Sequence, residues 1–279
     1  MQVRTHDSAD EFRALAGPVY QRDPIGFTVE FAGLAAPALP ADAVLLTAWD
    51  AGRVVGAAVQ TPPYPLACGG LPDGAVAPAV DALAERTPRL TATRGPLEVA
   101  TRFAAAWTQR TGAAVAERTE ERLHALDRLE TPMVPGEHRT HRASDTDLLA
   151  DWSGRFFVEA FGVAPRPIAD HRAFVTTQTR AGARFVLWLR DDRPVSMAML
   201  RPTVAGVARI GPVYTPDADR GHGYGSAVTA AAASIALAGG AGDVVLFTDL
   251  ANPVSNAIYR RIGFRPVGDW LAIEFTTRR

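Results

Sequence analysis

The residues able to do chemistry in this sequence concentrate between Gly211 and Phe264. The first group is Arg220-Gly221-His222-Gly223-Tyr224-Gly225-Ser226, with glycine at alternate positions. Glycines let a backbone turn tightly and leave amide N–H groups without side-chain cover. The run follows a β-rich stretch, Val207 to Tyr214, and opens an Ala-rich helical stretch that stops at Gly239-Gly240. Bare N–H groups at the positive end of a helix make an anion site, and a pyrophosphate is its natural guest. Arg220 adds a formal positive charge at the rim. A dinucleotide fingerprint does not fit, because it needs Gly-x-Gly-x-x-Gly followed by an acidic residue near the end of the next strand. A P-loop needs Gly-Lys-Ser/Thr, and the run has no lysine. Taken alone, the loop is also compatible with a plain strand-to-helix turn.

The second group narrows the choice. After a strand over Val244 to Asp249 come Leu250-Ala251-Asn252-Pro253. Asn252 is a good N-cap and Pro253 suits the first helical position. Asn252, Asn256 and Tyr259 are spaced four and three apart, so they share a helix face. Gly263 ends that helix and Phe264 starts a strand. A polar stripe on a helix is commonly a solvated face. Here it ends in a tyrosine one turn before Gly-Phe, downstream of an anion loop.

Val213-Tyr214-Thr215-Pro216, the glycine loop, and the run from Asn252 through Asn256 and Tyr259 to Gly263-Phe264 resemble the GNAT superfamily of N-acetyltransferases. The loop matches that family's Arg/Gln-x-x-Gly-x-Gly/Ala signature, and the second run its Asn…Tyr…Gly-Phe helix. The resemblance covers Ala208 to Phe275 strongly and Arg139 to Arg201 more weakly. It implies acetyl-CoA as co-substrate. The pantetheine arm would pair with the backbone of Val213, Tyr214 and Thr215. The pyrophosphate would rest on the amides of Gly221, His222, Gly223, Tyr224, Gly225 and Ser226. Asn252 and Asn256 would flank the arm, and Tyr259 would protonate the departing thiolate. Acyl transfer to an amine also needs oxyanion stabilisation, which backbone N–H groups near Val213 can supply. A tyrosine within hydrogen-bond reach can act as general acid.

One departure concerns the base. Many members carry a glutamate on the strand before the loop, but Val207-Ala208-Arg209-Ile210-Gly211-Pro212 has no carboxylate. Glu159, His171 and Asp249 are the candidates, each equally readable as a surface or structural residue. A water chain, or an amine that arrives neutral, would also suffice. The expected reaction is acetyl transfer to a primary amine of a small molecule, in a ternary complex. A non-catalytic acyl-CoA sensor or scaffold is the alternative from another class.

The elements that must hold these groups alternate in type. His141 to Phe161 reads as a helix capped by Ser144 or Asp145, and Asp170 to Ala181 as another. Arg184 to Leu189 and Val195 to Leu200 form a hairpin about Arg190-Asp191-Asp192-Arg193. Phe264 to Val267 and Leu271 to Phe275 close the chain as strands. The first half shows a fainter copy: a helix over Asp7 to Leu15, a hairpin of Val44 to Trp49 with Val54 to Gln60, and helices over Gly74 to Arg86 and Thr101 to Thr111. Two divergent copies of one domain explain this order, although any mixed α/β domain can show it. The expected architecture is α/β, with two GNAT-like mixed α/β domains in tandem, each a central twisted mixed sheet flanked by helices. The divisions are 1–130 for a degenerate copy without cofactor, 131–137 for a linker with two prolines and a glycine, and 138–279 for the acetyl-CoA-binding domain.

Cys68-Gly69-Gly70-Leu71-Pro72-Asp73-Gly74 stands where the first half would need its own anion loop. Pro72 and Asp73 interrupt it, and a carboxylate repels phosphate. Trp49 and Tyr64 are readable as lining of an acceptor pocket or as core, and Cys68 is a remote candidate acyl carrier. Glu117 to Arg122 reads as a solvated helix face.

Bulk properties set the class. The chain has 279 residues, 47% hydrophobic and 21% charged, with net charge -1. That balance lacks the basic footprint of a nucleic-acid partner and argues against an RNA-dependent aminoacyl transferase. A single cysteine suits a reducing compartment. No apolar run of spanning length or signal-peptide core is seen, so a cytoplasmic protein without membrane partner is expected. His138, His141 and His171 lack metal-ligand spacing, so no metal is expected. A monomer and a homodimer are both compatible with the sequence.

Overall fold

The computed structural model describes residues 1–35, 39–86, 90–162 and 164–276. One order of elements occurs twice. The first pass runs β1 (Gln2–Thr5), α1 (Ala9–Tyr20), α2 (Thr28–Leu34), β2 (Val44–Asp50), β3 (Arg53–Gln60), β4 (Leu66–Ala67), α3 (Asp73–Arg86), β5 (Ala92–Pro96), α4 (Leu97–Thr111) and β6 (Ala114–Leu126). The second runs β7 (Glu137–Thr140), α5 (Thr146–Phe161), α6 (Ile168–Arg180), β8 (Arg184–Arg190), β9 (Arg193–Leu200), β10 (Val207–Tyr214), α7 (Tyr224–Ala238), β11 (Asp243–Asp249), α8 (Pro253–Arg261) and β12 (Phe264–Thr276). Strand pairing repeats as well. β1 to β4 are antiparallel neighbours in turn, and β4 then pairs with β5 in parallel. β7 to β10 are antiparallel neighbours, and β10 pairs with β11 in parallel. In each pass the parallel step is bridged by one helix, α3 or α7, as a parallel connection requires.

Two compact units result. Unit 1 comprises Met1–Leu123, Thr248–Asn252 and Val267–Arg279; unit 2 comprises His124–Phe247 and Pro253–Pro266. A single cut at 131–137 does not describe this division, for two physical reasons. The end of β12 pairs with β5 from Trp270↔Pro96 to Glu274↔Ala92, so it completes the sheet of unit 1. The run after β6 is tied into unit 2: Asp127 N donates to Gly263 O at 3.1 Å and Glu130 N to Ile262 O at 3.1 Å. Leu126 and Leu129 pack on the same unit's core.

Unit 1 buries Phe103, Trp107, Leu83 and Leu66 together with Leu271, Ile273 and Phe275 of β12. Unit 2 has a core on each face of its sheet. One gathers Val228, Ala232 and Ala236 of α7 with Ile210, Leu246 and Phe264. The other gathers Leu149 and Trp152 of α5 with Phe185, Met197, Met199 and Tyr214.

Three local expectations change. The residues Glu117 to Arg122 lie in strand β6, not in a helix. Two of their charges pair with other strands: Arg94 Nε of β5 donates to Glu121 Oε2 at 2.6 Å, and Arg122 grips Asp269 of β12 through two bonds of 2.6 and 2.9 Å. His141 is extended, with its N–H donating to Phe185 O at 2.8 Å, and α5 begins only at Thr146. Asp145 explains the delay. It binds Arg139 at 2.6 and 2.9 Å and accepts from Arg142 N at 2.6 Å, closing a tight turn ahead of the helix. Arg139 and the Arg142 amide hold the Asp145 carboxyl below its usual range. Finally, Phe264 to Val267 and Leu271 to Phe275 are one continuous strand, β12.

Candidate active site

β10 positions the site. Its parallel register with β11 runs from Val207↔Asp243 to Ile210↔Leu246, and the strand continues through Gly211 to Tyr214. On its other side the register with β9 shifts between Ile210 and Val213, then resumes at Val213↔Ala198 and Tyr214↔Met197. A bulge of this kind kinks a strand and re-aims the residues beyond it. Gly211 sits there with φ +142, open to few residues other than glycine. The end of β10 is fastened by Ser196, whose hydroxyl donates to Tyr214 O at 3.0 Å and lies 2.8 Å from Thr215 Oγ1.

The glycine loop then turns onto α7. Asp219 is buried and takes Arg193 of β9 at 2.5 and 3.1 Å, which anchors the start of the turn. Gly221 and Gly223 both have φ +82, so a side chain at either would be strained. Gly223 is the N-cap of α7, with no side-chain cap and no acidic residue in the first turn. The first amides of a helix have no intrahelical acceptor, so Tyr224, Gly225 and Ser226 present N–H groups toward the helix entrance. A Cβ on Gly225 would stand 3.5 Å from Thr215 Oγ1, which places this turn against the end of β10. His222 stacks on Tyr224 with centroids 5.4 Å apart, and its Nδ1 is 3.3 Å from Asp219 O. The arrangement fits an anion such as pyrophosphate: backbone donors, a helix N-terminus and no carboxylate in the first turn.

Arg220 does not present a bare charge to this loop. Its Nε donates to Thr215 O at 2.9 Å, one terminal nitrogen to Glu159 Oε2 at 2.5 Å, and the other pairs with Asp217 Oδ1 at 2.6 Å. Glu159 Oε1 also accepts from the Tyr214 hydroxyl at 3.0 Å. Burial, reinforced by the bond to Glu159, pushes the Tyr214 phenol up to about 12.

Tyr259 lies on α8 and packs on the α7 core, with its ring 6.2 Å from Phe264. Its phenol hydrogen-bonds with Thr229, whose own hydroxyl donates to Gly225 O at 2.8 Å. Burial raises this phenol to about 12, the Thr229 bond acting in the opposite direction, so it holds its proton at neutral pH. Asn256 is half-buried on the same helix, and its carbonyl accepts from Arg260 Nε at 3.2 Å. Asn252 is exposed just before α8, in the 248–252 segment assigned to unit 1.

Unit 2 thus gathers Val213 to Thr215, the loop, Asn256 and Tyr259. Of the three candidate bases, Glu159 joins Tyr214 and Arg220. His171 is buried, stacked 6.2 Å from Phe157 and pressed on Gly154. Asp249 closes a turn, accepting from Ala251 N at 2.7 Å. Sequence reasoning misses Thr229, although a threonine inside an alanine run is an available signal. The meeting of Glu159 with Tyr214 has no sequence signal, since it joins a helix to a strand fifty-five positions away. Among the described residues no group of three or more His, Cys, Asp or Glu is placed to hold a metal. None of the described helices is long and apolar enough to cross a membrane.

The corresponding place in unit 1 is closed. β4 pairs with β5 through Leu66↔Thr93 and Ala67↔Arg94, and Cys68 N extends the contact to Arg94 O at 2.9 Å. A Cβ on Gly95 would lie 2.9 Å from Cys68 Sγ. Cys68 itself is fully buried, and burial pushes its thiol up to about 12, which removes it as an acyl carrier. Trp49 is engaged by Arg4, 4.1 Å over its ring, and by Thr47 at 2.8 Å, whereas Tyr64 is 52% exposed.

Comparison with known proteins agrees with this geometry. Residues 146–264 match the family model described as the Acetyltransferase (GNAT) family. A tandem GNAT protein from the clavulanic acid biosynthesis pathway superposes with TM-score 0.62 at 16% identity, over 98% of each chain. A GNAT-family acetyltransferase from Colwellia psychrerythraea gives TM-score 0.62 at 11% identity, over 99% of this chain and 100% of that one. A GCN5-related N-acetyltransferase from Kribbella flavida gives 0.55 at 21%, over 85% and 87%. No curated protein matches. At these identities the likenesses speak for the fold, which is that of a tandem GNAT protein along nearly the whole chain. Residues 146–264, which carry the glycine loop at the head of α7, are similar to the GNAT acetyltransferase family.

Proposed function

We propose that this protein transfers an acetyl group from acetyl-CoA to the primary amine of a small molecule by direct attack in a ternary complex. The observation that carries the reading is the uncapped N-terminus of α7 behind Gly221 and Gly223, packed against the end of β10. The loop amides would take the pyrophosphate, and the backbone of Val213 to Thr215 the pantetheine arm, with Asn252 and Asn256 beside it. In the step itself the amine nitrogen bonds to the acyl carbon, the carbon–sulfur bond breaks, and the amine passes its proton to solvent water. The departing thiolate takes a proton from Tyr259, which is protonated at neutral pH, and water returns a proton to that phenol. No enzyme nucleophile is needed.

A second reading, a non-catalytic acyl-CoA sensor or scaffold, draws on the packing of Tyr259. A phenol bonded to Thr229 and set on Phe264 has a structural role even without chemistry. Turnover of an amine library in the presence of acetyl-CoA separates the two. Acetylated product supports the enzyme; tight acetyl-CoA binding without product from any amine supports the sensor.

The proposal extends to the first half. In the sequence division 1–130, 131–137 and 138–279, the first copy would bind no cofactor, a reading that the Cys68 N to Arg94 O bond between its strands supports, while the strand end from Val267 joins its unit. Acetyl-CoA use suits a cytoplasmic setting. A monomer or a homodimer would each serve this mechanism.

A further inference from the structure

The acyltransferase reading leaves the acceptor open, and the acceptor class inferred from the Glu159 cluster rests on that reading. Glu159 is the carboxylate that the fold brings to the end of β10, one phenol away from the strand assigned to the thioester arm. Each of its oxygens has one partner, Oε1 the Tyr214 hydroxyl at 3.0 Å and Oε2 Arg220 at 2.5 Å. A carboxylate offers about four acceptor positions, so part of its capacity remains. The side chain is 42% exposed, so that capacity faces outward.

Charge in the cluster does not balance. Arg220 serves two carboxylates, Glu159 and Asp217. The next cation, Arg155, is matched by Asp151 at 3.0 Å. One negative charge is left over, which suits a monocation.

On the same side of α5 lies Phe156, whose ring links to that of the more exposed Phe161. Phe156 stands three residues before Glu159 and shares its side of α5. Its ring is 5.8 Å from both Phe157 and Phe161, edge-on in each case, and Phe161 is 47% exposed. Aromatic rings next to a carboxylate accommodate an organic ammonium with an apolar arm, since ring faces attract both cations and apolar groups.

We propose that Glu159 receives the ammonium of the acceptor, which gives one proton to solvent water before its nitrogen attacks, and that the acceptor class is a monocationic primary amine carrying an aromatic or bulky apolar arm seated on Phe156 and Phe161. Arg220 is then a positioning residue for Glu159 in addition to any contact it makes with phosphate. The excess of one negative charge disfavours polyamines.

The test uses the full chain, acetyl-CoA, and three probe amines: 2-phenylethylamine, n-propylamine and putrescine. 2-Phenylethylamine should be acetylated with kcat/KM about ten-fold above each of the others. Glu159→Gln should raise its KM about thirty-fold while the KM for acetyl-CoA stays within about two-fold. Phe161→Ala should narrow the preference over n-propylamine. An amine KM unmoved by Glu159→Gln overturns the proposal, and so does a preference for n-propylamine or putrescine. If Glu159→Gln does not fold, Glu159→Asp decides on the same readings. Acetyl-CoA bound with none of the three amines acetylated overturns the acceptor class alone. Failure of wild type to bind acetyl-CoA in calorimetry sinks the acyltransferase reading itself.

Discussion

Tyr259 of α8 is hydrogen-bonded to Thr229 of α7, and Thr229 donates in turn to the Gly225 carbonyl at 2.8 Å. The candidate acid is therefore tied to the first turn of the helix whose N-terminus forms the anion loop. Tyr259→Phe keeps the ring on Phe264 and removes only the proton donor. The variant should lose about a hundred-fold in kcat while its Kd for acetyl-CoA stays within about two-fold. Steady-state kinetics and calorimetry check this; unchanged kcat would reassign Tyr259 to packing.

The same phenol makes an alkaline stability signature. Its folded pKa is about 12 against an ordinary 10.0, so the folded state holds the proton more tightly than the unfolded chain. The associated stability is complete below pH 10, and is lost as pH rises toward about 12. Denaturant unfolding at pH 9 and pH 11 should show a smaller loss in Tyr259→Phe than in wild type. An identical loss in both would mean that this phenol is not protected by burial.

Gly223→Asp combined with Gly225→Asp places two carboxylates at the head of α7 and strains the φ +82 position. Wild type should bind one equivalent of acetyl-CoA and the double variant none detectable in calorimetric titration. Two equivalents in wild type would show that the contact at Cys68 and Arg94 does not close the first unit.

Cys68 should be inert in the folded protein. It is fully buried with a thiol pushed up to about 12, so essentially no thiolate exists at pH 8. A thiol-specific disulfide reagent should titrate no group in native buffer and one after denaturation. Rapid native labelling would contradict the burial.

Asp145 closes the turn before α5 by bonding Arg139 twice and Arg142 N once. Asp145→Ala strands Arg139 and removes the turn's acceptor, at a cost of about 2–3 kcal/mol in urea unfolding. Its carboxyl is held below the ordinary 3.8, so its contribution is present above pH 3.8 and fades as pH falls below that value. A cost under about 0.5 kcal/mol would mean that the turn forms without it.

The elements around the loop were legible in the sequence because each is specified locally. Short apolar, β-rich runs mark β8, β9 and β10, Gly239-Gly240 ends α7, and Pro253 starts α8. Alternate glycines before an alanine-rich helix identify an anion loop because left-handed backbone and bare amides are local needs. Where charges cluster within a strand, as they do in β6, local pattern misleads, since Glu121 and Arg122 find their partners, Arg94 and Asp269, on other strands. The same holds for the division of the chain: β12 begins in unit 2, yet its ladder with β5 makes its length from Val267 part of unit 1. The sequence by itself determined the loop, the Tyr259 helix and the repeated order of elements. Only the tertiary structure decided that Arg220 meets Glu159 and Asp217, that Glu159 meets Tyr214, and that Tyr259 meets Thr229. Those contacts depend on which faces of distant elements pack together, and no spacing along the chain encodes that.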